Sequence, residues 1–170
     1  LTGRSMSRLL HEAERTIKRA VNAGPHGRIV ACGTGATGAI DKLQQILGVA
    51  LPPATRKVVG DQLRAFLGEA KFDEFRRFQQ SRQPVVFVGP YEHHSNEVTW
   101  RQGLATVVEV NLAADGSVDL AHLERLLQLP EYHGRLRIGS FSAASNVTGM
   151  RSPTRDIAKL LHAHDAYACF

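Results

Sequence analysis

The sequence predicts an α/β fold built on a mostly parallel sheet. Segments with helical spacing alternate with short, continuous apolar runs, and the loops that follow those runs are rich in glycine, serine or histidine. Such runs, apolar at successive positions, suit strands buried on both faces.

Residues from about Ser5 to Asn22 place Leu9, Leu10, Ala13, Ile17 and Ala20 at helical spacing, and Gly24-Pro25 ends the run. A leading helix over residues 1–25 is therefore expected. Arg28-Ile29-Val30-Ala31-Cys32 reads as a short strand. The turn Gly33-Thr34-Gly35-Ala36-Thr37-Gly38 then opens a helix through Ile40, Leu43, Ile46 and Leu47. Residues 50–83 are long for a plain βαβ crossover and read as a helical connection or surface insertion. Pro52-Pro53 starts one helix there, with Val59, Leu63, Phe66 and Leu67 at helical spacing, and Phe72 to Gln80 forms a charged second one. Strands follow at Val85–Val88, Thr106–Val110 and Leu136–Phe141. Helices are expected at Asn96–Leu104, Leu120–Leu127 and Pro153–His164, with a final strand begun by Ala166–Phe170.

At 170 residues, with 43% hydrophobic and 22% charged content, the chain has the balance of a soluble globular protein and enough length for a real core. No apolar run approaches the roughly 20 residues a membrane-spanning helix needs. The first residues, Leu1-Thr2-Gly3-Arg4-Ser5-Met6, carry neither an initiator Met nor a signal-peptide core, so the chain is expected to be the interior of a longer one. Cys32 and Cys169 each end an apolar run, read as small core residues, and suggest no disulfide framework; the expected location is the reducing cytoplasm. The formal charge of +5 is carried partly by Arg4, Arg8, Arg15, Lys18, Arg19 and the pair Arg76-Arg77. Acids are interspersed and no aromatic-basic motif accompanies them, so these charges read as a solvated face rather than a nucleic-acid footprint.

Three strand-end segments carry chemistry. Gly33–Gly38 matches G-x-G-x-x-G, and amides at a helix start can hold a phosphate. Read as a dinucleotide loop of NAD type, it lacks the acid expected about 20 residues on, at the end of a second strand, because Asp61 and Glu69 fall in helical runs. Phosphate cradle, dinucleotide module and plain tight turn remain open on the spacing alone. Tyr91-Glu92-His93-His94-Ser95-Asn96 puts an imidazole at the mouth of a buried strand, where open α/β sheets hold their ligands. Ser140–Gly149 follows another strand and includes Asn146, which offers both a donor and an acceptor. No metal site is expected: His93-His94 are adjacent, His162 and His164 lie on different helix faces, and no Cys or acid stands at zinc spacing.

In their order, G-A-T-G-A-I, E-H-H-S-N and S-N-V-T-G resemble the class V aminotransferase family of fold type I pyridoxal-phosphate enzymes. The similarity is greatest to its cysteine desulfurase and selenocysteine lyase branch, and runs from about Arg28 to Phe170. The resemblance implies a three-layer α/β/α arrangement, with residues 1–170 forming part of a cofactor-binding large domain. It also implies pyridoxal 5'-phosphate as cofactor, a small amino acid as substrate and a homodimer. Residue by residue, it makes Gly35, Ala36 and Thr37 the phosphate cup. His93 becomes the ring that stacks on the pyridine and relays protons, and hence the catalytic candidate; Asn146 becomes the partner of the phenolic oxygen. Gly38 stands where the family more often has Glu, and residues 50–83 are longer than the resemblance leads one to expect. The family's Schiff-base lysine, its pyridinium-pairing Asp and a desulfurase's persulfide Cys match nothing in this sequence. The 170 residues alone are therefore expected to be inactive.

Overall fold

A computed structural model describes residues 2–170, which divide into two compact units, one ending at Gly33 and the other spanning Thr34–Phe170. In the first unit, helix α1 (Thr2–Ala20) ends in a turn in which Asn22 and Gly24 take φ of 51° and 64°. The expected strand at Arg28–Cys32 does not form: these residues are irregular, Val30 is 54% exposed and Cys32 is exposed. A strand is stabilised by ladder bonds to a neighbour, and none of the described strands pairs with this run. The run stays irregular, and Cys32, exposed, is not the core residue its flanks suggested.

The second unit holds a four-stranded sheet of β1 (Val85–Val88), β2 (Thr106–Glu109), β3 (Arg137–Ser140) and β4 (Tyr167–Cys169). The order is β2-β1-β3-β4 and every pairing is parallel. Each crossover is helical, as parallel neighbours require. Helix α2 (Gly35–Ile46) leads into the pair α3 (Pro53–Leu67) and α4 (Glu69–Arg82). Helix α5 (His94–Gln102) then joins β1 to β2, α6 (Leu120–Leu127) precedes β3, and α7 (Thr154–Ala163) precedes β4.

All four residues of β1 are fully buried, because this strand is central and covered on both faces. Alternation sends Val85 and Phe87 toward Leu123 and Leu127 of α6 and Ile157 and Leu161 of α7. Val86 and Val88 point the other way, against Trp100 of α5 and the partly buried Ile40 and Leu43 of α2. The result is three layers, helix–sheet–helix. A cation closes one end: Arg137 donates to the Leu127 carbonyl at 3.0 Å and to the His164 carbonyl at 2.5 Å, tying the ends of α6 and α7 to the start of β3.

The chain leaves β1 for β2 on one side and returns past β1 to β3 on the other. The strand order reverses between β1 and β3, and the loops leaving their carboxyl ends part there, which is where open parallel sheets form ligand crevices. Helices α3 and α4 form a hairpin around Gly68 (φ 75°), anchored where the Arg56 guanidinium donates to the carbonyls of Gln102 and Gly103.

Gly139 in β3 faces α7 so closely that any added side chain forces a neighbour to shift. A Cβ there would lie 2.3 Å from Leu161 Cδ1 and 2.8 Å from Phe141. Gly139→Ala is expected to cost about 1–3 kcal/mol through overpacking, read as a lower urea midpoint at unchanged slope. Wild-type stability in that variant would mean that α7 sits farther from the sheet.

Candidate functional site

The crevice between the β1 and β3 loops is a cavity of about 600 Å³. Four of the residues singled out in the sequence line it: Ala36 and Thr37 from α2, His93 from the β1 loop and Asn146 from the β3 loop. Gly35 is the first residue of α2 but does not contribute to the wall. Among the described residues, no Asp, Glu, Lys or Arg lines the cavity; apart from His93, its titratable side chain is Cys169. An anion held here would therefore meet amides and hydroxyls, with no carboxylate to repel it.

At one side, Thr34 and Gly35 both take left-handed φ, 63° and 62°, and turn the chain into α2. The amides of Gly35, Ala36 and Thr37 occupy the first turn, where no intrahelical carbonyl is available and the helix dipole is positive. A strand was expected to lead into this loop and none does, which removes the βαβ frame that a dinucleotide reading requires. The third glycine of the motif, Gly38, lies inside the helix.

His93 is the N-cap of α5, and its ring does the capping: Nδ1 accepts from the Ser95 amide at 3.2 Å. An amide only donates, so Nδ1 holds its lone pair toward Ser95, and a neutral ring carries its proton on Nε2. The Ser95 hydroxyl lies 3.0 Å from Nδ1 and 2.8 Å from the Thr37 hydroxyl. Thr37, Ser95 and His93 thus form one hydrogen-bonded chain from α2 to the imidazole.

Glu92, which does not line the cavity, and Asn96, which does, join the two loops. Each Glu92 carboxylate oxygen is 2.9 Å from the Ser142 amide. Oε2 also accepts from the Ser142 hydroxyl at 2.6 Å and from Asn96 Nδ2 at 2.8 Å. Asn96 is buried and uses both ends of its amide. Nδ2 also donates to the Ser140 carbonyl at 3.0 Å, and Oδ1 accepts from the Ser140 hydroxyl at 2.6 Å and from the Trp100 indole at 3.2 Å. Gly89 permits this arrangement: a Cβ there would lie 2.5 Å from Glu92 Oε1. The spacing of Glu92 and Asn96, four residues apart and flanking the histidines, was the available signal for a paired role.

Asn146 stands in a small hairpin after β3, closed by the Ser145 amide on the Met150 carbonyl at 2.8 Å. The Ser145 hydroxyl accepts from the amides of Val147 and Thr148, and the Asn146 side chain is exposed. Cys169, at the end of β4, also faces the cavity; burial raises its thiol above the ordinary range. Sequence reading had no means to place it there, since the pairing of β4 with β3 is a long-range contact.

The family model described as Aminotransferase class-V matches residues 74–170, more than half of the chain. A probable cysteine desulfurase of Chlamydia muridarum is 35% identical over 86 residues, 48% of this chain and 20% of that protein. The probable cysteine desulfurase of Chlamydia trachomatis is 36% identical over 87 residues, again 48% and 20%. The chain thus spans about a fifth of the length of the curated relatives it matches. Among solved structures, the apo cysteine desulfurase from Thermococcus onnurineus aligns with 51% of this chain and 21% of its own, at 21% identity and a TM-score of 0.43.

Replacing Glu92 by Gln turns an NH2 group toward donors and leaves at least one of them unpaired. A loss of about 1–3 kcal/mol is expected in chemical denaturation, with the Ser142 and Asn96 amide resonances shifting together. An unchanged midpoint and spectrum would remove Glu92 from this role. The two thiols are expected to differ as well. At neutral pH, exposed Cys32 reacts first with iodoacetamide, while Cys169, with less thiolate and less access, lags. Equal rates by mass spectrometry would contradict the cavity wall described above.

Proposed function

The chain belongs to the class-V aminotransferase family, and from that premise we propose that Thr34–Phe170 form one wall of a pyridoxal-phosphate site in a cysteine desulfurase-like enzyme. The observation that carries this reading is the gathering of the α2 N-terminus, the His93 ring and Asn146 around one uncharged cavity at the strand-order reversal. The residues fit the group. A phosphate suits free helix-start amides beside the Thr37 hydroxyl, a flat ring suits the face of His93, and a phenolic oxygen suits the amide of exposed Asn146.

Bound pyridoxal phosphate supplies an electron sink for bonds at the α-carbon of an amino acid. The protein's part is binding, orientation and proton handling. Ala36 and Thr37 would hold the phosphate through their amides, with Thr37 adding its hydroxyl, and Gly35, outside the wall, would set the turn that aims them. Ser95 links that grip to the imidazole, so the phosphate end and the ring wall are positioned as one piece. His93 lines the cavity with its flat ring and, with Nδ1 engaged by the Ser95 amide, offers the Nε2 proton as a hydrogen-bond donor. Ile40, Leu43 and Phe141 make part of the wall apolar and limit water at the reacting end.

The substrate we infer is a small amino acid, cysteine in the first instance, a reading supported by the names of the curated relatives. None of Lys42, Lys57, Lys71 and Lys159, the lysines of the second unit, lines the cavity. These residues therefore supply no amine to link the cofactor covalently, and by themselves they are proposed not to turn over substrate. For the intact protein we propose a homodimer, as the family reading implies. Two free thiols suit a reducing cytoplasm.

In the intact protein, pyridoxal phosphate is expected to bind saturably, with its visible absorbance shifted. Thr37→Ala and His93→Ala should each weaken it by about tenfold or more, equivalent to roughly 1.4 kcal/mol. Affinity unchanged in both variants, or displacement by NAD, would sink the assignment. The 170 residues expressed alone should give no lysine adduct after borohydride reduction; a stable one would show that they carry their own anchor.

A further inference from the structure

Away from this site, helices α3 and α4 close a second cavity, of about 500 Å³, against the end of α5 and the start of β2. We propose that it binds a small carboxylate carrying an aromatic or aliphatic body. The hairpin belongs to residues 50–83, the stretch longer than the family resemblance leads one to expect, and the proposal does not depend on the cofactor reading.

Three observations converge. The first is charge: Arg56, Arg76 and Arg101 line the cavity, and no Asp or Glu does. Arg101 is answered by Glu97 at 2.9 Å and Glu109 at 3.5 Å, whereas Arg56, among the described residues, is held by the carbonyls of Gln102 and Gly103 and by no carboxylate. Arg76, among the described residues, has no ion pair. These two exposed guanidinium groups thus have no carboxylate partner among the described residues and are available to a carboxylate at the cavity. The second is the apolar part of the wall, where Leu63 and Phe72 are joined by Val59 and Phe75, still 45% and 37% exposed.

The third is Gly60. Glycine inside a helix is unfavourable relative to alanine, and here nothing in the protein demands it: φ is not positive, and a Cβ would meet no atom within 4 Å. It lines the cavity, and the space it leaves is cavity space. An apolar body against Leu63 and Phe72, with its carboxylate turned to Arg76, satisfies both kinds of wall.

The test uses 3-phenylpropionate with the intact protein, followed by calorimetry and ligand-observed NMR. One saturable site per chain is expected, with the neutral 3-phenylpropanamide binding about tenfold more weakly. Arg76→Gln should weaken the acid by a similar factor, Gly60→Leu should abolish binding by filling the space, and His93→Ala should leave it unchanged. A melting curve checks that Gly60→Leu folds; if it does not, Arg76→Gln and the acid–amide comparison decide. Absence of saturable binding, equal binding of acid and amide, or indifference to Arg76→Gln would overturn the proposal. So would binding of an acidic peptide such as Glu-Phe with the free acid silent, which would make the cavity a protein-docking surface.

Discussion

The carboxylate of Glu92 holds together two loops that the sheet alone would let diverge. Strands β1 and β3 are hydrogen-bonded neighbours as far as Val88 and Ser140. Beyond that register the chain turns away on both sides, because the next strand in sequence lies on opposite flanks. A carboxylate that accepts from the Ser142 amide and hydroxyl and from Asn96 spans the opening with charge-assisted hydrogen bonds, which are stronger than neutral ones. Asn96, with all its hydrogen-bonding capacity in use, then fixes the first turn of α5 against β3. Asn96, Ser140 and Ser142, members of this bridge, themselves form part of the cavity wall.

The same bridge determines what the imidazole can do. His93 lies between Glu92 and Asn96 in sequence, so its backbone is held from both sides while its ring caps α5. A capping ring has one nitrogen committed, and the other carries the proton of the neutral form. Through Ser95 that commitment extends to Thr37, and the first turn of α2 is brought into the same hydrogen-bonded unit. The phosphate-type helix start and the imidazole are thus coupled by hydrogen bonds, although 56 positions separate Thr37 from His93 in the chain.

Much of the fold was legible because its signals are local. Val85–Val88 is apolar at every position, the pattern that suits a strand covered on both faces. Leu120–Leu127 has helical spacing and an Asp119 cap, whose side chain accepts from the His122 amide. The same local logic misled at Arg28–Cys32. Five residues of strand-like composition form no strand without a neighbour to pair with, and pairing is a property of the rest of the molecule.

For the site, the sequence by itself determined the residue types: a glycine-rich helix start, an imidazole after a central strand, and an amide after another. These follow from short-range chemistry, since turn, cap and strand propensities act within a few residues. Only the tertiary structure decided that Ala36, Thr37, His93 and Asn146 share one cavity, that Gly35 stands outside its wall, and that Cys169 forms part of it. The reason is topological. Strand order decides which loops meet, and it is set by burial of both sheet faces and by long-range hydrogen bonds that no local pattern encodes.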